Sequence, residues 1–109
     1  MREFREKDAI YLVAEIDRTI AGYARATVKK SNDAFFIMPA RGFLEAIVVR
    51  KKYRGMGIAS ALNTEVERWF HANRCVQATL DVIAGNPAQR IYKKWGYAVG
   101  CHRMSKRLR

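Results

Sequence analysis

Cysteine is scarce in this chain. Cys75 and Cys101 are the only two, too few for a disulfide framework and too sparse for a zinc site. Two free thiols go with a cytoplasmic protein. Long apolar runs are absent: nothing approaches the ~20 residues that span a bilayer, so no membrane partner is expected. The opening Met1–Asp8 holds no apolar core of the signal-peptide kind. Proline is rare, at Pro39 and Pro87 only, and no repeat or low-complexity stretch divides the chain. Of its 109 residues, 50% are apolar and 28% charged. That is the balance of one soluble globular domain covering residues 1–109.

Acidic residues are also few. Ten Asp and Glu stand against 21 Lys and Arg, a net charge of +11. The excess is uneven: residues 1–43 carry +2 and residues 44–109 carry +9. The C-terminal part is therefore built to meet an anion. Nucleic acid, acidic lipid and a phosphate-bearing cofactor all qualify.

Ile10–Ile16 is apolar and partly β-branched, and Ile20–Val28 repeats the pattern after the polar break Asp17–Thr19; the two predict a hairpin. The stretch Ala34–Arg41 is ambiguous between strand and apolar loop. Phe43–Val49 is a strong strand. Beyond it, Ile58, Ala61, Leu62, Val66, Trp69 and Phe70 recur at helical spacing, with Asn63, Thr64, Glu67 and Arg68 elsewhere, so a helix is expected over 58–73. Val76–Ile83 alternates as a strand. Asn86 and Pro87 mark the start of a short helix, 87–95, as N-cap and first helical residue, and Gly96 closes it. Tyr97–Leu108 is expected to return as one last strand or a pair. The order β-β-β-α-β-α-β predicts an α/β (α+β) domain on a mixed sheet.

Between strand 43–49 and helix 58–73 lies Arg54-Gly55-Met56-Gly57-Ile58-Ala59-Ser60. Glycines let the backbone turn so that its N–H groups converge, and a helix N-terminus adds partial positive charge. A pyrophosphate fits such a site, and Arg50, Lys51, Lys52 and Arg54 surround it with full charges. The P-loop of nucleoside triphosphatases is excluded, since no Gly-Lys-Ser/Thr follows. A dinucleotide fingerprint puts Ser60 at its third glycine and needs a larger doubly wound domain. Arg54-x-x-Gly57-x-Ala59 satisfies a third phosphate-loop pattern, Gln/Arg-x-x-Gly-x-Gly/Ala.

With the second motif, Asn86-Pro-Ala88 followed by Tyr92-Lys-Lys-Trp-Gly96-Tyr97, the chain resembles the GNAT superfamily of acyl-CoA-dependent N-acyltransferases over about residues 10–108. Val49–Ala59 resembles the family's Val-x-x-x-x-Arg-Gly-x-Gly-Ile-Gly/Ala; the later motif has altered spacing. The resemblance implies a mainly antiparallel mixed sheet whose central strand pair, 43–49 and 76–83, splays apart. It implies acetyl-CoA as donor, no metal, and direct transfer to an amine. The pantetheine arm would bond main-chain groups of Ile47, Val48 and Val49 as an added strand does. The pyrophosphate would rest on the amides of Arg54, Gly55, Met56, Gly57, Ile58, Ala59 and Ser60, with Asn86 completing the cofactor set. An N–H near Val49 would polarise the thioester carbonyl.

Tyr92 matches the family's tyrosine that protonates the departing thiolate, and Glu45 the glutamate that takes a proton from the incoming ammonium. Packing alone also explains a tyrosine here, and solvation a strand glutamate. His71 reads as a residue of a helix C-terminus, His102 as a residue of the last strand region. Direct transfer needs no thiol, so Cys75 and Cys101 have no assigned role. Family members open with a strand and two helices before the hairpin. Here residues 1–9 stand in their place, with Arg5–Ala9 resembling the entry to the first helix. The strand at Ile10 is therefore expected as an exposed edge covered in a homodimer, and the acceptor site as open or shared. Two other functions remain: an acetyl-CoA-binding domain with little catalysis, and a basic nucleic-acid module. No nucleic-acid motif supports the second, and the phosphates of CoA account for much of the charge.

Overall fold

The computed structural model describes residues 1–30, 40–82, 86–100 and 104–108. A five-stranded mixed sheet in the order β1-β2-β3-β4-β5 is flanked by two helices. The strands are β1 (Arg2–Glu6), β2 (Ala9–Ile16), β3 (Thr19–Lys29), β4 (Arg41–Val49) and β5 (Gln77–Thr79). The first four pair antiparallel and β5 pairs parallel to β4. Helix α1 (Ile58–Ala72) precedes β5 and the short helix α2 (Gln89–Lys94) follows it. This is the mixed, mainly antiparallel α/β architecture expected.

Period-two alternation sorts the sheet into two faces. Ile10, Leu12 and Ala14 of β2, Ala24, Ala26 and Val28 of β3 and Leu44 of β4 are buried in one core with Leu62, Val66, Trp69 and Phe70 of α1. The small alanines let the helix approach closely. Gly42 carries this furthest: a Cβ there would stand 2.5 Å from the Phe70 ring. The helix face differs from the periodic reading at two places. Ala61 is exposed and Asn63 is buried at 4% accessibility, so the buried stripe is rotated towards Asn63.

Left-handed backbone recurs at the turns, beginning with Asp8 (φ 60°) between β1 and β2. Asp17 (φ 49°) and Arg18 (φ 64°) both take it in the two-residue β2–β3 turn, which matches the twist of the strands. Helix α1 ends on Arg74 at φ 58° and α2 on Gly96 at φ 97°. In each case two amides turn back: Arg74 to His71 and Cys75 to Phe70, Gly96 to Lys93 and Tyr97 to Tyr92, all at 3.0 Å. Both are Schellman closures.

Four sequence expectations are corrected. Residues 2–6 form a strand paired with Ala9–Val13, where a helix entry was expected; a two-residue turn, Lys7–Asp8, joins them. β2 is thus covered on both sides, Ile10 is fully buried, and the exposed edge is β1, all five of whose residues are exposed. The strand expected over 76–83 is confined to 77–79, because only Arg41–Phe43 of β4 pairs with it. No strand forms over 97–100 or 104–108. Apolar side chains there, Val99 at 65% and Met104 at 94% accessibility, find no sheet to pack on. The second helix begins at Gln89, with Pro87 and Ala88 in a preceding turn. The ambiguous stretch 34–41 lies mostly outside the described residues, as do Cys101 and His102.

Candidate active site

Two features of β4 shape the site. The first is its loss of a neighbour. Its ladder with β5 ends at Phe43↔Thr79, so Leu44–Val49 has no strand partner on that side among the described residues. On the other side Ile47, Val48 and Val49 pair with Ala24, Tyr23 and Gly22. A free edge beside a paired strand offers backbone donors and acceptors in register for an extended ligand. Gly22 keeps the sheet tight there, since a Cβ would stand 2.6 Å from the Val48 carbonyl oxygen.

The second is a bulge. Arg25 faces Ala46 while its neighbour Ala26 faces Leu44, leaving Glu45 as the extra residue. Bulges re-aim side chains. Phe43 and Glu45 point to the face away from α1, while Ile47, beyond the bulge, packs on the core. Glu45 is held there. Its Oε1 accepts from the Thr27 hydroxyl at 3.1 Å and its Oε2 pairs with the Arg25 guanidinium. Arg25 in turn donates to the Tyr11 hydroxyl at 3.1 Å and lies over the Tyr11 ring. Glu45 opens into a cleft of about 720 Å³ running over β3 and β4 to the β1–β2 turn.

At the end of β4 the chain enters a single 3-10 turn, Lys51–Tyr53, and then the glycine loop. Gly55 (φ 81°) and Gly57 (φ 78°) are left-handed, and a Cβ at either would meet nothing within 4 Å. The loop is therefore open space lined by backbone. Gly57 caps α1 with no side-chain hydrogen bond, and the first turn carries no acidic residue. The amides of Ile58, Ala59 and Ser60 precede the helix's own bonding, which starts with Ala61 to Gly57 at 3.0 Å, so they are free for an anion. Arg50, Lys51, Lys52, Arg54 and Met56 are all exposed around them. Arg54 folds back, its Nε–H donating to the Val49 carbonyl at 3.2 Å, which ties the loop to the end of β4. These groups suit a pyrophosphate: converging amides, a helix N-terminus and full positive charges.

Asn86 turns the chain into α2, its Oδ1 accepting from the Ala88 amide at 2.9 Å. Tyr92, half-buried on α2, contacts Trp95 and Tyr97 with ring centroids 5.7 and 6.4 Å apart. It does not line the cleft that holds Glu45. The structure thus unites residues 47–49 and 54–60 along one β4–loop–α1 path and sets Glu45 on the same strand, with Tyr92 on the separate short helix α2 and Asn86 just ahead of it. His71 is exposed in the last turn of α1. Burial pushes the Cys75 thiol up, partly offset by Lys30. Sequence reasoning missed Tyr11, Arg25 and Thr27. Period two places 25 and 27 together on β3, yet only the strand register brings them to Glu45. Among the described residues no helix is long and apolar enough to cross a membrane.

Comparison with known proteins agrees with this geometry. The chain is 32% identical over 89 residues to an uncharacterised N-acetyltransferase of Methanocaldococcus jannaschii, covering 80% of this chain and 51% of that one. It is 26% identical over 102 residues to an N-alpha-acetyltransferase of Sulfurisphaera tokodaii, covering 89% of this chain and 61% of that one. It therefore spans between half and two thirds of their length. Among solved structures, the aminoglycoside N-acetyltransferase AAC(6')-Iy in complex with CoA superposes with a TM-score of 0.80 at 23% identity, over 95% of this chain and 78% of that one. Glucosamine-6-phosphate N-acetyltransferase of Arabidopsis thaliana gives 0.78 at 20% identity, over 94% and 69%. The acetyltransferase (GNAT) family model matches residues 1–97, and with that match the chain belongs to the GNAT acetyltransferase family.

Proposed function

We propose that this chain transfers an acetyl group from acetyl-CoA directly to an amine. The observation that carries the reading is the β4–loop–α1 unit: a strand edge left unpaired past Phe43 among the described residues, running into left-handed glycines and a helix N-terminus with no side-chain cap. The main chain of Ile47–Val49 holds the pantetheine arm, and the amides of residues 54–60 hold the pyrophosphate. Asn86 shapes the entry to α2 beside the cofactor. An N–H near Val49 polarises the thioester carbonyl. Glu45 takes a proton from the ammonium, directly or through water. The neutral amine nitrogen then bonds to the carbonyl carbon, the C–S bond breaks, and the nitrogen gives up its remaining extra proton to water. Tyr92 gives its phenolic proton to the sulfur and is restored from that water. Cytoplasmic location goes with the free thiol of Cys75.

The acceptor is not set by the fold, since the two solved neighbours are named for an aminoglycoside and for a sugar phosphate. One observation favours a second reading, acetyl-CoA binding with little turnover: Tyr92 is not part of the cleft around Glu45. Thermal unfolding with and without acetyl-CoA, at two salt concentrations, tests cofactor binding. Thiol release across an amine panel then tests transfer. A thermal shift with no thiol release selects the second reading. No shift at saturating acetyl-CoA overturns both.

A further inference from the structure

The cleft that begins at Glu45 ends in positive charge. On the open face of the sheet, Lys29 of β3 and Arg41 of β4 are directly opposed in the ladder, both exposed and both lining the cleft. Like charges facing each other across a strand pair are destabilising. Neither forms an ion pair with a carboxylate among the described residues. Lys7, from the β1–β2 turn, adds a third cation at this end; its sequence neighbours Glu6 and Asp8 are the acidic residues on that rim. Arg25, by contrast, is already committed to Glu45. One carboxylate end for an amine and one cationic end for an anion therefore share a single cleft.

Arg41 lies four residues from Glu45 on β4, about 13 Å at ~3.3 Å per residue. An extended peptide advances ~3.3–3.6 Å per residue. With its terminal amine at Glu45, its third and fourth residues lie ~7 and ~10 Å along, within one long side chain of Lys29 and Arg41, and, because successive side chains alternate, one of the two faces that pair. Resting on the proposed acetyl transfer, we propose that the acceptor is a peptide amino terminus carrying acidic side chains at its third or fourth residue, read by Lys29 and Arg41. A small free amine would leave the cationic end and most of the cleft unfilled.

The test uses the full chain and dye-labelled peptides, Ser-Ala-Glu-Glu-Ala-Ala against Ser-Ala-Gln-Gln-Ala-Ala, with binding followed by fluorescence anisotropy and acetyl transfer by thiol release. Two exposed charge contacts give the acidic peptide a preference of about five- to tenfold at low salt, fading as salt rises. The preference inverts or vanishes in the double variant K29E/R41E. K29Q/R41Q serves if that variant does not fold, with the acetyl-CoA thermal shift as the folding control. Equal binding of the two peptides, or an undiminished preference in both variants, overturns the proposal. The two readings fail separately. Selective binding with no acetyl transfer to these peptides or across the amine panel supports this subsite and removes the transferase reading. Equal acetylation of both peptides supports the transferase and removes the subsite.

Discussion

Replacing Gly57 and Gly42 by alanine separates cofactor binding from folding, because the two glycines are required for different reasons. Gly57 sits at φ 78° with nothing within 4 Å of an added Cβ. Gly57→Ala therefore costs only the left-handed conformation, about 1–2 kcal/mol. The smaller entropy of the unfolded variant offsets about 0.4–1 kcal/mol of that. Gly42 is different: its Cβ would stand 2.5 Å from the buried Phe70 ring. The ring must move, an overpacking cost of about 1–3 kcal/mol. Each kcal/mol lowers Tm by roughly 4–8 °C in a domain of about this size, so both variants melt several degrees early. Acetyl-CoA at ~100 times its Kd adds about 2.7 kcal/mol to the parent protein. Gly42→Ala keeps that increment, since its methyl lies in the core at the start of β4, the end away from the loop. Gly57→Ala loses most of it, because its methyl enters the space an anion would fill among the first-turn amides. Scanning fluorimetry with and without acetyl-CoA, checked by calorimetry, reads both numbers. A full increment in Gly57→Ala refutes the phosphate cradle, whatever its apo Tm.

Four further outcomes are expected. Tyr92→Phe keeps the acetyl-CoA shift and lowers kcat by about 10²-fold or more, the usual worth of a general acid; steady-state thiol release measures it, and a kcat within twofold of the parent removes the acid role. Glu45→Gln lowers kcat most at low pH, where the amine most needs a base, yet changes stability by less than about 1 kcal/mol, because the pair with Arg25 is 30–38% accessible. Burial, with Glu67 and Tyr92 adding to it, pushes the Tyr97 phenol up to about 12 from 10.0; the folded chain keeps that proton longer, so the stability it contributes is complete below pH 10 and lost as pH rises towards about 12. Tyr97→Phe flattens that alkaline fall in denaturant titrations and costs little at neutral pH, since the buried hydroxyl has no hydrogen-bond partner among the described residues. We also propose a homodimer joined along β1, whose Phe4 is 53% accessible; light scattering should show the dimer mass, and a monomer at high concentration excludes it.

The glycine loop was legible in the sequence because its chemistry is local. Arg54–Ser60 needs only a preceding strand, two residues able to take positive φ, and a following helix, and all three are set within about twenty residues of chain. The same holds for the hairpin of β2 and β3, whose register follows from a two-residue turn, and for the closure of α2 by Gly96. Tertiary structure decided what depends on contacts between distant segments. Residues 2–6 are too polar to announce a strand; they become one because Ala9–Val13 offers an unpaired edge. The bulge that turns Ile47 into the core, and the meeting of Glu45 with Arg25 and Thr27, arise from the pairing of β3 with β4 across about twenty intervening residues. Apolar alternation promised a strand over 76–83, and family resemblance one over 97–108, but alternation states only which face is apolar and resemblance supplies no partner edge. Whether a partner edge exists is settled by the sheet, and here β4 offers β5 three residues of pairing before the two strands part.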